Sequence, residues 1–271
     1  MENIVLITGA SSGIGKATAK LLLAEGYKVY AGARRVDNLK ELEYLGGVIM
    51  PLDVTDEESL KKAVAMVVEG EGRVDILINN AGYGAHGAIE DVPLAEARRQ
   101  FDVNVFGLAR LTQLVLPVMR KQGSGKIINI SSIAGKITTP LGGWYHATKH
   151  AVEAYSDALR LEVHRFGIKV ILIEPGAIKT EWDTVAMANL SKYSGTGPYA
   201  ALTDKLTNRF RAGYRKGAPG PEVVARTILK ALRSRRPAAR YAVPFQARAV
   251  LFLKWLLPDR VLDAAMNFLL K

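Results

Sequence analysis

The chain begins its first apolar run and glycine-rich turn in the stretch Ile4-Val5-Leu6-Ile7-Thr8-Gly9-Ala10-Ser11-Ser12-Gly13-Ile14-Gly15, which is the strongest indication of its fold. Its first four residues form a short apolar run, which predicts a buried strand. Three glycines follow in the pattern T-G-x-x-x-G-x-G, and a helical pattern then runs from Lys16 to Glu25. Glycine lets a backbone turn tightly and approach a pyrophosphate, and a helix N-terminus offers free N–H groups to it. The stretch therefore predicts a nucleotide-binding strand–turn–helix unit, with a ligand-free glycine turn as the alternative.

Short apolar runs alternate with helical patterns along the rest of the chain. Further strands are predicted at 29–33, 48–52, 74–78, 126–130 and 169–173, with long helices at 94–121 and 145–166. This alternation predicts a single α/β domain: a doubly wound, mostly parallel sheet of about seven strands with helices on both faces. Ligands of such sheets bind beyond the carboxyl ends of the strands. The residues predicted at those ends are Gly9, Arg34, Asp53, Asn80, Ser132 and Pro175.

Arg34 and Arg35 directly follow the second predicted strand. In a dinucleotide-binding fold, an acidic residue at this point accepts a hydrogen bond from the ribose 2′-OH of NAD, whereas arginine accommodates the 2′-phosphate of NADP. The pair therefore favours NADP(H) as cofactor. Two solvated surface charges are the alternative interpretation.

Tyr145 and Lys149 are four residues apart in a predicted helix, so they share one face. An ammonium beside a phenol favours the phenolate and lowers its pKa from about 10. The pair could therefore provide a general acid and base near neutral pH, although such pairs also occur on solvated helix faces. His146 and His150 share a zinc-ligand spacing, but the chain has no cysteine and no evident third ligand, so no metal is predicted.

Taken together, the motifs resemble the short-chain dehydrogenase/reductase family. They comprise Thr8-Gly9-x-x-x-Gly13-x-Gly15, Asn79-Asn80-Ala81-Gly82, Asn104, Ser132, Tyr145-x-x-x-Lys149 and Pro175-Gly176-x-x-x-Thr180, within roughly residues 3–235. The resemblance implies a Rossmann fold and hydride transfer to or from a nicotinamide. It implies that Ser132 fixes the substrate oxygen, that Tyr145 transfers a proton, that Lys149 lowers the Tyr145 pKa and holds the ribose, and that Asn104 holds a relay water. Thr148 departs mildly from the serine that many members have there.

The resemblance also implies which residues hold NADP(H), with Ile178 and Thr180 steadying the carboxamide. The expected set is Gly9, Ser11, Ser12, Gly13, Ile14, Gly15, Arg34, Arg35, Asp53, Val54, Asn80, Ala81, Gly82, Tyr145, Lys149, Pro175, Gly176, Ile178 and Thr180.

The same resemblance implies a substrate lid at 181–217 and a cleft lined by 83–86 and 133–144. The chain is most similar to the subgroup of hydroxysteroid and retinol dehydrogenases and acyl-dihydroxyacetone-phosphate reductases. We therefore expect a lipophilic ketone, aldehyde or alcohol as substrate, while His86 by itself is uninformative. A homo-oligomer, dimer or tetramer, is expected through the two long helices. Their outer faces are predicted to carry Leu108, Leu111, Val115, Ala151 and Tyr155.

The composition of the chain bears on its partners and on its location in the cell. The net charge is +11, from 37 Lys and Arg against 26 Asp and Glu, but no nucleic-acid-binding motif accompanies it, so nucleic acid is not expected as a partner. The absence of cysteine excludes disulfides and fits a reducing compartment, so we expect a cytoplasmic location, with membrane association left open. The sequence contains no run of 18 apolar residues, so no membrane-spanning helix is predicted.

The C-terminal part of the chain is apolar and basic. Residues 1–243 are predicted as the Rossmann domain and 244–271 as a helical extension, in which Pro258 separates two short helices and Asp259 caps the second. Packing of this extension over the cleft or a subunit interface is favoured, because a large apolar surface is rarely left exposed to water. The alternative is contact with a membrane interface. Alternative functions are a redox-sensing module that holds NADP without turnover and a membrane-surface lipid-carbonyl reductase.

Overall fold

A computed structural model describes residues 2–215 and 217–270 of the chain, without the side chains of 213–215, 269 and 270. Seven parallel strands form one sheet in the order β3-β2-β1-β4-β5-β6-β7. The strands are β1 Ile4–Thr8, β2 Lys28–Ala33, β3 Val48–Pro51, β4 Ile76–Asn79, β5 Gly125–Ile130, β6 Ile168–Pro175 and β7 Arg240–Val243. The predicted doubly wound α/β fold is confirmed. Only β7 was not located from the sequence, because its four residues carry no distinct apolar period.

Helices cover both faces of this sheet, as predicted. They are α1 Gly13–Ala24, α2 Lys40–Tyr44, α3 Glu57–Glu71, α4 Leu94–Phe101, α5 Leu108–Gln122, α6 Gly143–Val163, α7 Trp182–Ser194, α8 Ala200–Arg215, α9 Glu222–Arg233, α10 Phe245–Leu256 and α11 Asp259–Leu270. One core contains Leu22 of α1 and Ile228 of α9. The other contains Val67 of α3, Leu111 of α5 and Leu159 of α6. Burial of these apolar side chains on both faces holds the sheet edge that carries the site.

The long helix predicted at 94–121 is confirmed as one continuous run, Leu94–Gln122, but its middle is π-helical rather than α-helical. A π-helical segment, Asp102–Gly107, separates α4 from α5 and contains Asn104. Gly107 lies against the backbone of Val54, where a Cβ atom would be only 2.5 Å from the Val54 carbonyl oxygen. A π-helical turn changes the direction in which side chains project, and such turns are frequent at functional sites.

Within the described residues, the run Leu94–Gln122 is the one helix long and apolar enough to cross a bilayer by length and composition. Leu111, Val115 and Met119 are fully buried against the sheet, so we interpret the run as a core helix. The same burial corrects the predicted oligomer surface. Leu108, Leu111 and Val115 belong to the core of the single chain and are not on an outer face.

The extension forms two helices, α10 and α11, separated at Pro258 as predicted. Asp259 is the first residue of α11 rather than its cap, and its carboxylate pairs with Lys254. The favoured packing of the extension over the cleft is not found in the single chain. Phe245, Trp255 and Phe268 are each more than three-quarters exposed.

Candidate active site

The glycine turn after β1 is held tightly against the end of β4. Gly9 has a φ of +66°, and a Cβ atom there would lie 2.9 Å from the Cα of Ala81. The Asn80 amide donates to the carbonyl oxygens of Thr8 and Gly9 at 2.9 and 3.0 Å. The hydroxyl of Ser12 at the N-cap of α1 makes no capping hydrogen bond. The first N–H groups of α1 therefore remain available to an anion, as a dinucleotide pyrophosphate requires.

Arg34 and Arg35 are both exposed just beyond β2. Burial alone would raise the pKa of Asp53, but hydrogen bonds from Thr55 and the charges of Arg34 and Arg99 lower it. The Arg35 guanidinium donates to the Ser12 hydroxyl at 3.3 Å and pairs with Glu181 at 3.2 Å. Arg34 thus lies near Asp53, which follows β3. Arg35 connects the glycine turn to Glu181, the first residue of the predicted lid.

Helix α6 presents Tyr145 and Lys149 on its inner side, and both side chains are buried. The Lys149 ammonium donates to the carbonyl oxygen of Ile130 at 2.8 Å and lies 5.8 Å from the centroid of the Tyr145 ring. The Ser132 hydroxyl donates to the carbonyl oxygen of Pro175 at 3.2 Å. The three predicted catalytic side chains therefore meet at the carboxyl ends of β5 and β6.

Burial, and not a neighbouring charge, is the largest influence on the pKa of Tyr145 in this structure, so the predicted lowering by Lys149 stays a prediction. Burial raises the pKa of Tyr145 to about 12, the Ser132 hydroxyl opposes this shift, and the Asp183 carboxylate adds to it. Burial likewise lowers the pKa of Lys149 to about 8, against the effect of Glu153. Desolvation disfavours the charged form of both groups, so Tyr145 holds its proton at neutral pH.

Asn104 is buried in the π-helical segment and is fully engaged by its neighbours. Its amide group donates to the Tyr83 carbonyl oxygen at 2.9 Å and to the Thr148 hydroxyl at 3.1 Å, and its carbonyl oxygen accepts from the Tyr83 N–H at 3.0 Å. Thr148 in turn donates to the Tyr145 carbonyl oxygen. The threonine that departs from the family pattern therefore ties Asn104 to the catalytic helix. The relay water at Asn104 stays a prediction.

One residue of the predicted lid and one of the predicted cleft segment 83–86 enclose Tyr145. The ring of Trp182, at the start of α7, lies 5.0 Å from the Tyr145 ring, and the His86 ring lies 5.5 Å from both. Burial lowers the pKa of His86 to about 4, with His146 adding to the shift, so His86 is neutral. His86 by itself carried no signal in the sequence, but the segment 83–86 that contains it was expected to line the cleft, and its ring lies there. The position of that segment, in the loop that follows β4, was the available signal.

Three further side chains near the site are held by the protein itself. The His146 ring nitrogens are hydrogen-bonded to Ala134 and Thr139, so its ring fixes the loop before α6. Val54 and Ile178 are buried in the two cores, which leaves only their backbone to a ligand. Among residues 2–215 and 217–270, no three His, Asp or Glu side chains are grouped as a metal site.

Residues 3–190 match the short chain dehydrogenase family. A 3-ketodihydrosphingosine reductase from Bacteroides thetaiotaomicron is 39% identical over 268 residues, covering 97% of this chain and 96% of its own length. An NADPH-dependent 3-dehydrocapnine reductase from Ornithobacterium rhinotracheale is 38% identical over 269 residues, with 95% and 94% covered.

A crystal structure of a short-chain dehydrogenase from Streptomyces avermitilis superposes with a TM-score of 0.82 and 35% identity, covering 99% of this chain and 96% of that one. The chain belongs to the short-chain dehydrogenase/reductase family, a family of oxidoreductases with a Rossmann fold.

Proposed function

We propose that this protein is an NADP(H)-dependent reductase that converts a lipophilic ketone into an alcohol. One observation carries the proposal. Tyr145, a protonated phenol, is enclosed by Trp182 and His86 beside the Ser132 hydroxyl. A buried, protonated donor suits the reducing direction, in which the substrate oxygen must gain a proton.

The residues at the sheet edge fit the cofactor. The uncapped N-terminus of α1 leaves N–H donors for a pyrophosphate, and the close packing of Gly9 on Ala81 holds the turn that precedes them. Arg34 is the group best placed for a 2′-phosphate, because Arg35 is paired with Glu181. When bound, the reduced nicotinamide supplies the hydride.

The side chains of this chain then have separate duties. The Ser132 hydroxyl turns from the Pro175 carbonyl oxygen to the substrate carbonyl and fixes its orientation. The Tyr145 hydroxyl gives its proton to the substrate oxygen as that oxygen gains negative charge. The Lys149 ammonium, held by Ile130, stabilises the phenolate that remains and binds the ribose hydroxyls. Trp182 and His86 exclude water from this exchange.

The substrate class rests on the apolar walls of the site and on the relatives. Trp182 and a neutral His86 offer ring surfaces rather than charges. The substrates named for the two relatives, 3-ketodihydrosphingosine and 3-dehydrocapnine, are therefore the first compounds to test. A redox-sensing module without turnover is less well supported, because both Tyr145 and Lys149 are present and buried together.

The test is a screen of lipophilic ketones that follows NADPH absorbance, with NADH in parallel. We expect oxidation of NADPH by at least one long-chain ketone, and weaker activity with NADH. Equal rates with the two cofactors would reject the NADP(H) preference. Cofactor binding without turnover on any ketone or alcohol would favour the sensing module.

A further inference from the structure

The outward face of α10 is apolar, where the solvent-facing side of a helix is normally polar. Phe245, Phe252 and Leu256 follow a spacing of seven and four residues, which places them on one face. They are 76%, 58% and 56% exposed. Trp255 is 79% exposed, and its ring lies 5.9 Å from that of Phe252. Ala247 is the buried residue of this helix, so the large apolar side chains point away from the protein.

Helix α11 continues this surface. Val261 and Phe268 are seven residues apart on one face and are 47% and 79% exposed. We call the set Phe245, Phe252, Trp255, Leu256, Val261 and Phe268 the C-terminal apolar face.

The C-terminal apolar face lies beside the site. Ala247 of α10 packs on the turn after β6, its Cβ 3.2 Å from where a side chain at Gly176 would begin. Helix α11 contacts α8, within the predicted lid. The face therefore borders the carboxyl edge of the sheet, where a substrate enters.

Positive charge is concentrated in the same part of the sequence. Residues 205–258 contain thirteen Lys and Arg and one acid, Glu222, whereas the rest of the chain has 24 basic and 25 acidic residues. Arg209 and Arg211 of α8 and Arg248 of α10 are exposed. The whole net charge of the protein thus arises from the segment that leads into and includes α10.

We infer that the C-terminal apolar face docks the protein on an anionic membrane surface, with its rings among the lipid head groups. The two helices of 12 residues are too short to span a bilayer, but exposed aromatic rings on a basic helix suit its interface. A second copy of the chain fits less well, because it would bring a second basic segment against the first. Anionic lipid instead complements that charge.

The test is co-sedimentation of the full chain with vesicles of phosphatidylcholine alone or with about one third phosphatidylglycerol. We expect binding to the anionic vesicles that weakens as salt is added. The double variant Phe252→Gln, Trp255→Gln should bind at least about tenfold more weakly, because it removes two exposed rings that the membrane interface would bury. Phe106→Gln is the matched control, since Phe106 is 61% exposed outside this face and should leave binding unchanged.

Thermal unfolding and light scattering of each variant accompany the binding assay. Unchanged unfolding temperatures would exclude misfolding as the cause of lost binding, since all three side chains are exposed. The inference is overturned if the wild type does not bind anionic vesicles, or if the double variant binds as well as the wild type. It is also overturned if the double variant dissociates an oligomer while vesicle binding stays unchanged. No cofactor or substrate is present, so the outcome is independent of the proposed reaction.

Discussion

The helices α6 and α10 both carry aromatic residues, but they place them in opposite environments. Tyr145 of α6 is buried beneath Trp182, whereas Trp255 of α10 is largely exposed. Around Tyr145, the loss of water changes an ionisation equilibrium and so prepares a proton donor. Around Trp255, the apolar surface is exposed to water, and such a surface is typical of a binding site for a membrane or another molecule. Aromatic side chains therefore have a catalytic role in α6 and, in our inference, a membrane-binding role in α10.

The largest expected effect comes from Tyr145→Phe, which keeps the ring and deletes the proton donor. We expect kcat to fall by about 100- to 10,000-fold, with NADPH affinity unchanged, because the fold and the glycine turn are untouched. Steady-state kinetics and NADPH titration measure the two effects. Tyr155→Phe, ten residues further along the same helix, is the control and should stay near wild-type activity. Turnover of Tyr145→Phe within a few-fold of wild type would contradict the assignment.

Two tryptophan variants compare the effect of losing a ring at the site with the effect of losing one in the C-terminal extension. Trp182→Ala removes the ring over Tyr145, and we expect kcat/KM for a lipophilic ketone to fall about tenfold or more. Trp255→Ala, tested with a water-soluble ketone and no membrane, should leave kcat/KM unchanged because Trp255 lies outside the site. Equal losses in the two variants would remove the distinction between the regions.

Glu174, directly before Pro175, is a buried carboxyl group whose ionisation links the stability of the fold to pH. Burial and the neighbouring Glu153 carboxylate raise the pKa of Glu174 to about 7, although Arg240 and Lys136 oppose them. The folded protein thus binds this proton more tightly than the unfolded chain does. Its contribution to stability is full at low pH and is lost as the pH rises through about 7.

We expect Glu174→Gln to reduce the loss of stability between about pH 5 and pH 8 by about 1–3 kcal/mol. Chemical denaturation at several pH values measures it, with the exposed Glu162→Gln as control. A pH dependence identical to that of the wild type would argue against a proton held at Glu174.

The smallest expected effect concerns Arg35. Glu181→Ala removes its exposed ion-pair partner, and we expect NADPH affinity to rise by about two- to fivefold as Arg35 becomes available to the phosphate. NADH affinity is the internal control and should not change. A similar gain for both cofactors would mean that the variant acts through the lid rather than through the phosphate.

Much of the fold followed from the sequence because parallel strands are apolar runs and glycine turns are local signals. The meeting of Gly9, Asn80 and Ser132 at the carboxyl ends of the strands followed from topology, and the family resemblance added Tyr145 to them. The π-helical segment around Asn104 could not be predicted, because the apolar periodicity of a sequence does not distinguish one π-helical turn from the α-helix around it.

The effect of burial on the pKa of Tyr145 could not be predicted for a related reason. Spacing on one helix identifies Lys149 as a neighbour, but it does not measure how much water the tertiary structure removes. Burial of Tyr145 depends on Trp182 and His86, which come from two other parts of the chain. The exposure of the C-terminal apolar face is likewise a tertiary property that composition alone leaves open.

The decisive measurement is the ionisation of Tyr145 in the protein without cofactor. Tyrosinate absorbance is followed with rising pH in the wild type and in Tyr145→Phe, and their difference isolates this one phenol. We expect no difference between the two curves below about pH 10, because burial raises the pKa of Tyr145 to about 12. A difference that titrates near pH 7 to 8 would overturn the assignment of a buried, protonated Tyr145 and would support the lowering by Lys149 that the spacing on α6 predicted.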